Sequence, residues 1–183
     1  MKLTDALPGE HAVIYELFGY VGDTAANTND VQENHGAVSV LERLLLSHAK
    51  VEEDLLFPRL EPHLGQLGPL AVMGEEHRRL DDLLKAAKRE TDAGALKSVI
   101  NQLLELAYGH FRKEDGVLFA MAQQVLDGAT LTELGDEWAA RWKVIVHGRG
   151  CLGAAWTPRG QQSPGRAFDE WPRLAEAVEQ LGG

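Results

Sequence analysis

The 183-residue chain holds seven histidines, and four of them, His11, His48, His77 and His110, fall one on each of four long segments with helical apolar periodicity. Each lies on its segment's apolar stripe. Two head an i,i+4 pair with a carboxylate, His48-Ala-Lys-Val-Glu52 and His110-Phe-Arg-Lys-Glu114. On a helix that spacing sets imidazole and carboxylate on one face, a turn apart, within reach of a shared ion. A single such pair is expected by chance in so acidic a chain. Four imidazoles and two carboxylates buried together would instead leave several polar groups unsatisfied, at a cost on the order of 1 to 3 kcal/mol each, unless something binds them. Imidazole with carboxylate suits iron, manganese or zinc, and the lack of thiolates argues against a structural zinc or iron–sulfur site. Two carboxylates among distributed imidazoles point to a dinuclear centre.

The elements that must position these residues follow from the periodicity. A first helix is expected from about Pro8 to Ala25, with Ile14, Phe18 and Val21 on one face. A second, N-capped by Asp30, runs from about Val31 to Leu60, with Pro58 expected to kink or end it near Phe57. A third opens at Pro69, buries Leu70, Met73, Leu80 and Leu84, and breaks around TDAG. The fourth spans about Ala95 to Leu126. A fifth begins at Thr130, with Glu133 completing a capping box, and continues through Trp138 and Trp142 to about Val146. Beyond it a Gly-, Pro- and Gln-rich stretch, His147 to Arg166, precedes a short amphipathic helix near Phe168 to Leu181. No repeat is apparent.

Four long helices with short turns make an all-α, up-down-up-down four-helix bundle the expected fold, as residues 1–128. Residues 129–183 would form a C-terminal helix and extension, packed on the bundle or at an interface. At roughly 1.5 Å per residue, Glu52 and His77 lie nearly equally far from the turn near Gly65, and His77 and His110 nearly equally far from Ala93. His11 and His48 match about Thr28. The four helices' histidines therefore converge on one layer of the core.

The composition bounds the partners. The formal charge is −10, from 18 Lys+Arg against 28 Asp+Glu, which repels phosphate backbones and anionic lipid heads. Neither nucleic acid nor membrane is an expected partner. The N-terminal stretch lacks a signal-peptide apolar core, no run approaches a membrane span, and the one cysteine, Cys151, precludes an intrachain disulfide. A reducing, cytoplasmic location is the expectation. All four tryptophans follow the fourth helix, so the last third either covers one side of the bundle or forms a homodimer or partner surface.

The series His11, then His48-x-x-x-Glu52 within HAKVEEDLLFP, then Glu76-His77, then His110-x-x-x-Glu114 resembles the hemerythrin-like, or HHE cation-binding, family over about Glu10 to Gln123. The resemblance implies a four-helix bundle around a non-haem di-iron site, with His11 and His48 on one iron, His77 and His110 on the other, and Glu52 and Glu114 bridging. Zinc or manganese would suit the same ligands. Two positions depart from the oxygen carriers of that family. Met73 stands where they have the first histidine of a third-helix pair, and a thioether is a poor ligand for ferric iron. That departure favours reactivity or sensing over reversible oxygen carriage. The carriers also place a fourth-helix aspartate where Asp115 stands, whereas i+4 spacing favours Glu114 here.

Other residues have second readings. Tyr15, four after His11, is a candidate phenolate ligand or hydrogen-bond donor, or a core tyrosine. Asp81, four after His77, sits at the stripe's rim. Glu53 and Glu76 point about 100° off the layer and are expected in solvent. His35, His63 and His147 are expected at the surface, and Cys151 has no partners for a nucleophile's role. The leading expectation is a non-haem di-iron protein that binds O2 or reacts with peroxide or nitric oxide, with enzymatic activity left open. A sensor with the C-terminal extension as output is the alternative, and a ferritin-type site fits less well because its motif is Glu-x-x-His.

Overall fold

The computed structural model describes residues 1–65 and 67–144, all in helices and short connections. The expectations for His147, Cys151, Trp156, Trp171 and the terminal amphipathic helix lie outside these residues. Helix α1 spans Leu3–Asn27, α2 Val31–Val51, α3 Phe57–Leu64, α4 Pro69–Arg89, α5 Ala93–Lys113, α6 Phe119–Val125 and α7 Gly128–Trp142. A π-helical turn, Glu52–Leu56, joins α2 to α3, and a second, Glu114–Leu118, joins α5 to α6. The four long helices pack in a ring, α1 against α2 and α5, and α4 against the same two. This is the expected all-α bundle. No described helix is long and apolar enough to cross a membrane.

Aspartates cap three of the seven described helices. Asp30 accepts from the backbone N–H groups of Gln32 and Glu33, as expected, and Asp92 caps α5 through Ala95. For α7 the cap is Asp127, which accepts the Thr130 N–H at 2.7 Å. The expected Thr130 cap is therefore one turn late, because an aspartate three residues earlier already satisfies that donor.

Two prolines lie inside helices that were expected to start or break at them. Helix α1 begins at Leu3 and runs through Pro8. Leu3 and Leu7 are fully buried, and about 2 kcal/mol from each burial outweighs the roughly 3 kcal/mol cost of an internal proline. At Pro58 the chain continues helically to Leu64 because the π turn precedes it. The Phe57 N–H bonds the Glu52 carbonyl, five residues back, and the widened turn shifts the carbonyl that the proline ring would otherwise strike.

The core has two apolar clusters with a polar layer between them on every long helix. One contains Ile14, Phe18, Leu41, Leu45, Leu80, Leu84, Leu103 and Phe111. The other contains Leu3, Leu7, Val51, Leu56, Leu70, Met73, Leu118 and Phe119, with Leu131 and Leu134 of α7. Helix α7 packs against α1 and the first π turn. Gly135 permits the closest approach, since a Cβ there would collide with the Met1 carbonyl.

Candidate metal centre

Between the two clusters lie His11, His48, Glu52, His77, His110 and Glu114, with Glu52 and Glu114 fully buried and no histidine of the four more than 6% exposed. The structure thus brings together all six residues singled out by spacing. They form two groups, His11–His48–Glu52–Glu114 and Glu52–His77–His110–Glu114, in each of which the potential ligand atoms lie within 4.8 Å of one another. Both carboxylates belong to both groups. Glu114 approaches His110 Nε2 at 2.7 Å with one oxygen and His11 Nε2 at 3.3 Å with the other. Glu52 Oε2 lies 3.4 Å from His77 Nε2 and 3.7 Å from His48 Nε2.

The outer edges of the rings settle their orientation. Each Nδ1 meets a different carboxylate: His11 meets Asp115 at 2.8 Å, His48 Glu10 at 2.7 Å, His77 Glu53 at 2.9 Å and His110 Glu76 at 3.0 Å. An ionised carboxylate only accepts, so Nδ1–H donates and a neutral ring presents its lone pair at Nε2. Yet the Nε2 atoms of His11 and His48 face each other at 3.0 Å, as do those of His77 and His110. None of the four buried oxygens of Glu52 and Glu114 accepts an aligned hydrogen bond. Facing lone pairs and orphaned carboxylate oxygens in an apolar core demand positive charge, and the donor set fits a hard or borderline metal cation.

The titration behaviour expresses the same demand. Burial, then the adjacent Glu114 charge, raises the Glu52 carboxyl. Burial also pushes Glu114 up, but the approach of His11, His110 and His77 outweighs it and holds that carboxyl well below the usual range. For His77, burial opposes the charged ring, and Glu114, Glu52 and Glu53 override it to lift the pKa to about 10. His48 is raised in the same way, against burial, by Glu52, Glu10 and Glu114. Without a cation the layer therefore gathers protons.

Glu53 and Glu76 were expected in solvent; Glu53 is exposed as expected, with its side chain 44% accessible, whereas Glu76 is not. Glu76 is only 7% exposed, and both accept from histidine Nδ1 atoms. The 100° turn that takes these side chains off the core's centre aims them at the neighbouring helix, where the outer edge of an imidazole emerges. Asp115 likewise grips His11 from outside the cluster. The Tyr15 hydroxyl donates to Asp115 at 3.4 Å, and burial and that carboxylate raise it to about 12. Asp81 pairs with Lys85 on the surface, and Met73 is buried in the lower apolar cluster. His35 donates to the Glu90 carbonyl at 2.9 Å, and His63 is exposed.

A correspondence missed in the linear chain becomes visible here. Glu10-His11 followed by His48-x-x-x-Glu52-Glu53-x-x-Leu56-Phe57 is matched by Glu76-His77 followed by His110-x-x-x-Glu114-Asp115-x-x-Leu118-Phe119. Each half contains one π turn, and each π turn begins at the buried glutamate. The adjacent Glu-His and acidic pairs were the available signal for Glu10, Glu53 and Glu76. Trp138, whose Nε1–H donates to Glu10 at 2.6 Å, left no such signal.

The family model of the Hemerythrin HHE cation binding domain matches residues 2–122. A DNA nickase from Nostoc sp. (strain PCC 7120 / SAG 25.82 / UTEX 2576) is 26% identical over 144 residues, 78% of this chain and 38% of that protein. The iron-sulfur cluster repair protein YtfE of Enterobacter sp. (strain 638) is 32% identical over 98 residues, 46% of this chain and 44% of that protein. The YtfE of Escherichia coli O157:H7 is 31% identical over the same length. The chain spans less than half the length of these relatives. No solved structure matches it.

Proposed function

The chain belongs to the hemerythrin HHE cation-binding family, and from that premise we propose that it is a non-haem di-iron protein that binds O2 or reacts with a small oxidant such as peroxide or nitric oxide. His11 and His48 would hold one ion, His77 and His110 the other, with Glu52 and Glu114 shared. The observation that carries this is the sharing itself: two ligand groups have both buried carboxylates in common. Similarity to proteins named for iron–sulfur cluster repair supports iron over zinc or manganese. The charge of −10 favours a small-molecule partner over the DNA backbone suggested by the nickase relative's name.

Bound iron would supply the electron-transfer chemistry. The chain's own residues set the conditions for it. The four Nδ1–H groups, fixed by carboxylates, aim every Nε2 lone pair into the layer. Leu45, Ala49, Leu80 and Phe111, with His48, His77 and His110, enclose a cavity of about 10 Å³, room for one water-sized molecule. Its size favours a diatomic ligand or peroxide over larger substrates, and its apolar wall limits water.

Metal content and the ultraviolet–visible spectrum of aerobically purified protein test this directly. About two irons per chain with oxo-bridge absorption, changing on addition of peroxide or nitric oxide, is the expected result. One zinc per chain, or no iron uptake on reconstitution, would overturn it.

A further inference from the structure

The two halves of the site are nearly equivalent in their inner residues, and they differ in what lies behind them. Glu10 accepts the His48 Nδ1–H on one oxygen and the Trp138 Nε1–H on the other, at 2.7 and 2.6 Å. The Trp138 indole is uncharged, so it leaves the carboxylate's charge in place, and the Glu10 side chain is 15% exposed. Its counterpart Glu76 accepts from His110 on one oxygen and from the Lys113 ammonium on the other. Lys113 stands where the first half has the fully buried Val51, one residue before the shared glutamate.

The remaining outer carboxylates do not restore the balance. Asp115, behind His11, receives the Tyr15 hydroxyl and, among the described residues, no cation, and its side chain is 37% exposed. Glu53, behind His77, is 44% exposed, so water screens its charge. Asp115 and Glu53 are thus similarly solvated, and among the described residues the two pockets differ in Glu10, which no cation neutralises, and Glu76, which Lys113 does. A carboxylate that accepts from a ligating imidazole makes that imidazole a stronger donor, and a cation on the carboxylate weakens the effect.

We propose that Trp138 and Lys113 are positioning residues that make the two pockets unequal, so that the pocket of His11 and His48 takes up a divalent cation before the pocket of His77 and His110. Trp138 holds Glu10 against His48 from α7, a helix outside the four-helix ring. Lys113 draws charge away from Glu76. The inference rests on the two-ion reading above.

The test is titration of chelator-treated full-length protein with Co(II) alone, followed by visible absorption, for wild type, Lys113→Gln and Trp138→Phe. Wild type should bind in two unequal steps, the weaker being the one abolished by His110→Ala. Lys113→Gln should tighten the weaker step roughly tenfold and leave the stronger one in place. Trp138→Phe, which keeps the ring and removes the donor, should weaken the stronger step by a similar factor. A merely structural role for Lys113 predicts looser binding on substitution, so a tightened step discriminates. Equal wild-type steps, or a weaker step unmoved or loosened in Lys113→Gln, would overturn the inference while leaving two-ion binding intact. Fewer than two Co(II) per chain in wild type would remove the two-ion reading itself.

Discussion

Removing the metal should reverse the sign of the protein's pH dependence. In the absence of a cation, His77 is lifted from 6.5 to about 10 by the carboxylates of Glu114, Glu52 and Glu53, against the effect of burial. A raised histidine contributes stability that is complete below its unfolded value and lost as pH climbs through its folded value. Between about pH 7 and 9 the unfolded chain has released this proton and the folded chain still holds it, so stability should fall by roughly 1.4 kcal/mol per pH unit, about 2.5 kcal/mol in all. For a body of this size that is about 5 to 10 °C in Tm. Glu52, raised by burial and Glu114, adds a loss of the same sign above the ordinary carboxylate range. With metal bound, the cation replaces these protons and uptake releases them, so affinity and apparent stability should rise with pH instead. Denaturant midpoints at several pH values, with a chelator and with saturating metal, compare the two directly. A chelator-treated protein whose stability is flat or rising from pH 7 to 9 would refute the account of the layer as a trap for positive charge.

Three further outcomes follow from the same geometry. His110→Ala should lower metal content by the ion of the His77 and His110 pocket and destabilise the bundle, because Glu114 is left buried without its closest imidazole, whereas His35→Ala, at a ring that donates to the Glu90 carbonyl, should leave metal content unchanged; elemental analysis of both decides. Met73→His, one turn before His77 on the same buried face, should add an imidazole to the centre and shift the absorption of the iron-loaded protein, and an unchanged spectrum would mean that position 73 points away from the ions. Gly135→Ala should cost about 1 to 3 kcal/mol by pushing α7 off the Met1 carbonyl, measured as a lowered denaturant midpoint.

Much of the inner site was legible because it depends on local periodicity. His48 with Glu52, and His110 with Glu114, share a helix face by spacing alone, and matched distances from the turns set four helices' worth of side chains at one height. Apolar residues on either side of each histidine, such as Leu45 and Leu56 or Met73 and Leu80, confined that height to the core. The π turns were not legible, since an i to i+5 bond has no residue signature as plain as a cap, and a proline in sequence looks like a stop whether or not a widened turn accommodates it. The roles of Glu53 and Glu76 escaped because a helix considered alone does not show the imidazole of the neighbouring helix that each of them meets.

The sequence by itself determined the fold class and the types of side chain gathered in the polar layer, because both follow from which residues recur every third or fourth position along one helix. Only the tertiary structure decided which carboxylate stands behind which imidazole. Glu10 with His48, Glu53 with His77, Glu76 with His110 and Asp115 with His11 are pairings across 24 to 104 residues, fixed by how helix flanks meet. The same holds for Trp138, brought to Glu10 by α7 from 128 residues away. Hydrogen bonds of that range depend on the packing of whole helices against one another, which no local spacing encodes.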